Sequence, residues 1–216
     1  MTRRVRWRRG LGSATLAVLL LGATACSADP YDRPPLDDGA ELVPATARST
    51  AAAMLDHLED ADVRAVGGIE EPLEGGGTVL LATVAVEDAE VSVSVSPEDA
   101  GVEGTTLCGE LADLCSQAVA TDDAGRRTDY QVLWQPGVRG GDPGAGGMVL
   151  QRGDARVSVT VSGPLVPRAV DWTMFPVSRR VLESILLDPA IGLRTLPELV
   201  EAGAGLEDFR DRAFNL

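Results

Sequence analysis

"TVLLATVAVEDAEVSVSVS", residues 78–96, reads as two β-strands and the turn between them. The first part is rich in Val, Leu and Thr, and residues 91–96 alternate apolar and polar without a break. Successive side chains of a strand point to opposite faces, so Val91, Val93 and Val95 face a core and three serines face away. Glu87-Asp88-Ala89-Glu90 separates the two runs, and a hairpin is the natural pairing. "ARVSVTVS" (Ala155–Ser162) repeats the pattern, with Val157, Val159 and Val161 against Ser158, Thr160 and Ser162. Gly153-Asp154 joins it to "GMVLQR" (residues 147–152) in a second hairpin. Arg152-Gly153-Asp154 spells an adhesion tripeptide, but its place at this turn explains it. "YQVLWQ" (residues 130–135) adds a fifth strand, and two hairpin-linked groups imply an antiparallel sheet.

Helical spacing flanks the strands. Ala47, Ala51, Met54, Leu55, Leu58 and Ala61 recur every three or four residues and share a face. Gly67-Gly68 ends this region, with residues 63–66 turning extended, and Pro72 with Gly75-Gly76-Gly77 makes a loop. Later, Val181, Leu182, Ile185 and Leu186 form an apolar stripe, with Ser178 as N-cap and Asp188-Pro189 as the stop. A short helix is expected from Pro197, and the glycine-rich segment 137–147 reads as a loop. The expected fold is α+β: a single domain with a mainly antiparallel sheet of about five strands and helices on one face.

The domain is preceded by an address. Residues 1–25 hold Arg3, Arg4, Arg6, Arg8 and Arg9 and no acid, followed by an apolar run of 15 residues from Leu11. A membrane-spanning helix needs about 20 apolar residues, so the run fits a cleaved signal peptide. Ala23-Thr24-Ala25 is a site for ordinary signal peptidase, and with Cys26 it also resembles a lipobox in which Ala23 replaces the usual aliphatic residue. Cysteine parity favours lipidation of Cys26: Cys108 and Cys115 can pair, and a third free thiol outside the cytoplasm would be a liability. Arg8-Arg9 gives only a weak twin-arginine match. Residues 26–44 carry Pro30, Pro34, Pro35, Pro44 and five acids, so they read as a lipidated, flexible tether. The single α+β domain occupies residues 45–216.

Composition excludes some partners. The chain has 33 acids against 19 basic residues, a formal charge of −14, and every basic residue is Arg. Loss of the five signal arginines makes the mature chain more acidic still. Such a surface repels phosphate backbones, so no nucleic-acid partner is expected. Without lysine there is no Walker-type phosphate loop, and no cofactor or metal is expected.

Cys108 and Cys115 lie seven positions apart. A straight helix would separate them by about 10.5 Å, whereas bridged Cα atoms lie within about 7 Å. A disulfide therefore forbids one continuous helix between them, and as a staple it is worth about 2.5 kcal/mol. Metal ligation and redox chemistry are the other readings, but there is no C-x-x-C and no histidine nearby. His57 is the only histidine and reads as a partly exposed helix residue. A Ser-His-Asp centre would have to use it, and no G-x-S-x-G elbow supplies a nucleophile. Trp134, Trp172, Met174 and Phe175 read first as core anchors; a pocket, if one forms, would lie between Trp134, Trp172, Phe175 and the later helix.

The lipobox, tether, helix, valine-rich hairpin, cysteine loop and the late "VLESILLDPAIG" segment resemble uncharacterised exported lipoproteins of actinobacteria. The resemblance spans residues 45–193, and its most specific motifs are the cysteine pair and the L-x-x-I-L-x-D-P helix end. It implies a lipid anchor on the outer face of the cell membrane, with a secreted chain as the alternative, and it carries over no catalytic residue. The functional expectation is a non-enzymatic lipoprotein that binds or scaffolds an envelope component. A small-molecule or lipid carrier with a pocket between sheet and helix is the alternative, and a carboxylate-based hydrolase is the third.

Overall fold

The computed structural model describes residues 39–74, 76–98, 114–121, 127–167 and 171–212. Among them are ten strands and three α-helices: β1 Val43–Pro44, α1 Ala47–His57, β2 Val63–Pro72, β3 Thr78–Val86, β4 Ala89–Pro97, β5 Cys115–Thr121, β6 Arg127–Pro136, β7 Gly144–Arg152, β8 Ala155–Ser162, α2 Arg179–Leu187, β9 Arg194–Thr195, α3 Pro197–Ala204 and β10 Phe209–Arg210. Eight strands form one mixed sheet in the order β10-β2-β3-β4-β8-β7-β6-β5, and β1 pairs with β9 separately. The class is α+β, but the expectation of about five antiparallel strands is wrong. β10 runs parallel to β2, and the other pairs of the large sheet are antiparallel.

The centre of the sheet is the pairing of the two serine-valine strands with each other. Val91 faces Val161, Val93 faces Val159 and Val95 faces Val157. All six are at most 1 % exposed. Burying each contributes about 1.5–3 kcal/mol, so this seam anchors the fold. α1 lies on β2 and β3, and α2 lies on β7 and β8, so both helices sit on the valine face. The serines of β4 and β8 point the other way and are half-buried, apart from the buried Ser96.

The unexpected strands have local causes. β2 was obscured by Gly67-Gly68, which reads as a break. A Cβ on Gly68 would stand 2.3 Å from the Leu81 carbonyl oxygen and 3.2 Å from the Ala47 Cβ, so glycine is what lets α1 lie against this strand. β5 has the sequence CSQAVAT, too small and polar to show alternation. The glycine-rich segment is not all loop, because residues 144–147 begin β7. Gly144 has φ 78°, and a Cβ there would meet the Gln135 carbonyl oxygen at 2.2 Å, which explains a glycine at that turn.

α1 begins with a capping box: Thr46 Oγ1 accepts from the Ser49 N–H at 3.0 Å, and Ser49 Oγ accepts from the Thr46 N–H at 2.8 Å. The helix ends at His57, and the chain turns through Leu58 and Ala61 into β2. Ser178 Oγ caps α2 by accepting from the Val181 N–H at 3.3 Å, and Asp188 closes its other end. Residues 43 and 44 already belong to the folded body through β9. No helix among the described residues is long and apolar enough to cross a membrane.

Candidate functional site

β5 and β6 pair with Ser116 opposite Val132, Ala118 opposite Tyr130 and Ala120 opposite Thr128. Strand alternation then puts Ser116, Ala118, Ala120, Tyr130, Val132 and Trp134 on the face that carries the helices. α2 packs on β7 and β8 and reaches Tyr130 of β6 through Arg179 and Glu183. The result is a groove of about 360 Å³ lined by Ser116, Gln117, Ala118, Val132, Trp134, Trp172 and Arg179.

Its wall is built in two parts. Trp172 begins a short 3₁₀ turn, Trp172–Met174, which Asp171 caps by accepting from the Thr173 N–H at 3.0 Å and the Thr173 hydroxyl at 2.7 Å. These bonds hold the Asp171 carboxyl below its usual range. The Trp172 ring lies 6.2 Å from that of Phe175, tilted by 48°. Phe175 is buried, so it supports Trp172 from behind and does not line the groove.

Arg179 forms the other part. Its Nε donates to Glu183 Oε1 at 2.9 Å, one helical turn along α2, and its Nη2 donates to the Tyr130 hydroxyl at 2.7 Å. That hydroxyl donates to Glu183 Oε1. Burial and the Glu183 carboxylate raise the Tyr130 pKa, with Arg179 opposing, so the phenol stays protonated. Burial works against the Arg179 charge, but Tyr130 and Glu183 outweigh it and its pKa rises. The guanidinium is thus a fixed, partly exposed cation beside two tryptophans.

A second polar cluster lies under the helices. His57 Nε2 is 2.8 Å from Asp188 Oδ2, and its Nδ1 is 3.1 Å from Ser184 Oγ. The histidine expected to be partly exposed is intermediate in burial, but its side chain is only 8 % exposed and joins the end of α1 to α2. Ser, His and Asp meet here, but Ser184 donates to the Val181 carbonyl at 2.8 Å and is only 2 % exposed. The groove does not reach the cluster. Arg152 sits beside it, donating to the carbonyls of Leu186 and Asp188 at 2.6 Å and of Ile191 at 3.1 Å. Its guanidinium satisfies the carbonyl end of α2. Burial lowers the Arg152 pKa, and the Asp188 charge offsets part of this. The arginine of the turn tripeptide is therefore turned inward.

Of the residues singled out in the sequence, Trp134 and Trp172 line one groove and Phe175 backs it. Cys115 opens β5 and is disulfide-bonded. Cys26 and Cys108 lie outside the described residues. Among the described residues, no group of three His, Cys, Asp or Glu side chains could hold a metal ion. Sequence reasoning missed Tyr130, Arg179 and Glu183. The usable signals were Tyr130, Val132 and Trp134 at alternate positions and the i,i+4 spacing of Arg179 and Glu183. Compared with known proteins, the chain matches no family model, no curated protein and no solved structure.

Proposed function

We propose that this chain is a non-enzymatic lipoprotein, anchored through Cys26 to the outer face of the cell membrane, that binds an envelope protein through the groove at the β5–β6 end of its sheet. The observation that carries the binding reading is the groove itself. Two tryptophans and a cation held rigid by Tyr130 and Glu183 form its wall, with Ser116 and Gln117 at its rim. Tryptophan, tyrosine and arginine are the residues that most often anchor protein interfaces, and Arg179 is already ordered by Tyr130 and Glu183. The groove is open and half polar, which suits a protein segment better than a lipid chain. The anchor reading rests on the signal, Cys26 and the proline-rich tether.

The test is a photo-crosslinking residue placed at Trp172 of the chain expressed in its native envelope, with the same residue at Arg48, in a second groove between α1, β2 and β10, as comparison. A discrete protein adduct from position 172, absent from position 48, is the expected result. Failure to crosslink from 172, or equal adducts from both, would refute the site. Intact mass of the native protein should show a diacylglyceryl-sized addition at Cys26, and an unmodified Cys26 would refute the anchor.

A further inference from the structure

The geometry points to β5 as a docking strand: an extended segment of a cationic partner protein adds to its outer edge and places alternate large apolar side chains in the groove beside Trp134 and Trp172. This rests on the reading of that groove as the binding site.

The edge itself carries the argument. β5 ends the sheet among the described residues. Exposed sheet edges are normally blunted by charge, proline, bulges or a covering segment, because their free N–H and C=O groups recruit other strands. The sheet's other end follows that rule, since β2 carries Arg64, Glu70, Glu71 and Pro72 and is covered by β10. β5 has no charge and no proline in its seven residues. Ser116, Gln117 and Thr121 are exposed, and Val119 is 44 % exposed.

The groove side of β5 is also shaped for a neighbour. Of its residues on that face, Ser116 and Ala118 line the groove beside Val132 and Trp134, and both are small. A strand laid alongside would turn every second side chain into that space, the arrangement by which strand addition combines backbone affinity with side-chain selection. Charge constrains the occupant. A chain with a formal −14 attracts a cationic partner, and the Arg179 guanidinium in the groove wall confines the partner's positive groups to the ends of the docked segment, with its apolar side chains in the groove. The same charge opposes a second copy.

The experiment pans a random dodecapeptide display library against the full-length chain in detergent and synthesises the enriched peptides. Enriched peptides should alternate large apolar residues and carry Arg or Lys at their ends, and their binding should slow amide exchange across residues 116–121 by at least about tenfold. Val119→Lys and Gln117→Lys should each weaken binding about tenfold, with Val119→Thr within about twofold of the parent. Thermal melts of the lysine variants confirm that they fold. Trp172→Ala should weaken binding by a similar factor. If Trp172→Ala abolishes binding but exchange at 116–121 and both lysine variants are unchanged, strand addition is wrong and the groove reading stands. If no variant matters, or no peptide is enriched, both fall. A dimer by light scattering that Val119→Lys dissociates would assign the edge to a second copy and overturn the proposal.

Discussion

The two ends of the sheet are built from similar strands and finished in opposite ways. At the β2 end the chain returns on itself: β10 pairs with β2, and Phe209 is 9 % exposed. The Arg48 guanidinium lies 4.5 Å from the centre of the Phe209 ring, donates to the Leu206 carbonyl at 3.1 Å and stands 3.9 Å from Asp211. A groove survives there, lined by Ala47, Arg48, Gly68, Ile69, Glu70, Phe209 and Asp211, but Arg48 already has three partners and Glu70 Oε1 accepts from the Ala47 N–H at 2.9 Å. At the β5 end the strand is uncharged and exposed, and the fixed cation stands beside aromatic faces. A groove whose charges serve the fold has little left to offer a partner. A groove whose cation is fixed from behind keeps its polar rim, Ser116 and Gln117, exposed.

The His57 cluster joins these halves, since α1 serves the β2 end and α2 the other. His57→Ala strips a partner from the Asp188 carboxylate, whose side chain is 0 % exposed, and should cost about 3 kcal/mol by urea unfolding. A loss under about 1 kcal/mol would mean that the halves hold together without it. Phe209→Ala should cost about 2.5 kcal/mol and uncover β2, so light scattering near the midpoint should rise. Unchanged scattering would show that β2's own charges suffice to protect it. Tyr130→Phe removes the hydroxyl that positions Arg179, and should cost about 1.5 kcal/mol while lowering crosslinking from position 172. Intact crosslinking in that variant would mean that Arg179 needs no positioning.

The smallest effect lies mid-sheet, at Glu90. Burial raises its pKa above 4.5, with the Ser92 hydroxyl opposing, and its Oε2 has no hydrogen-bond partner. Because the folded-state pKa is the higher one, its contribution is fully present below the unfolded value and is lost as pH rises through the folded value. Glu90→Gln should therefore raise Tm by about 2 °C at pH 7.5, with the gain vanishing toward pH 4. An equal gain at both pH values would refute the ionic origin.

Five strands were legible because a half-buried strand must alternate, as residues 91–96 and 155–162 do without a break, and because residues 78–86 are rich in Val, Leu and Thr. β2 was hidden because its glycines answer to α1, an element distant in sequence. β10 is two residues long and is a strand only because β2 lies beside it. Trp134 and Trp172 were visible as large groups, whereas Tyr130 meets Arg179 across 49 positions and His57 meets Asp188 across 131. No local pattern encodes such pairs.

By itself, then, the amino-acid sequence determined the class of fold, the apolar faces of the two valine strands and the Ser178 cap. These follow from short-range periodicity, steric preference and composition. Only the tertiary structure decided that the two valine strands pair with each other, that β10 pairs with β2 at one edge and that His57 bridges α1 to Asp188 and Ser184. Those outcomes depend on which distant segments exclude water together, a property of the packed whole.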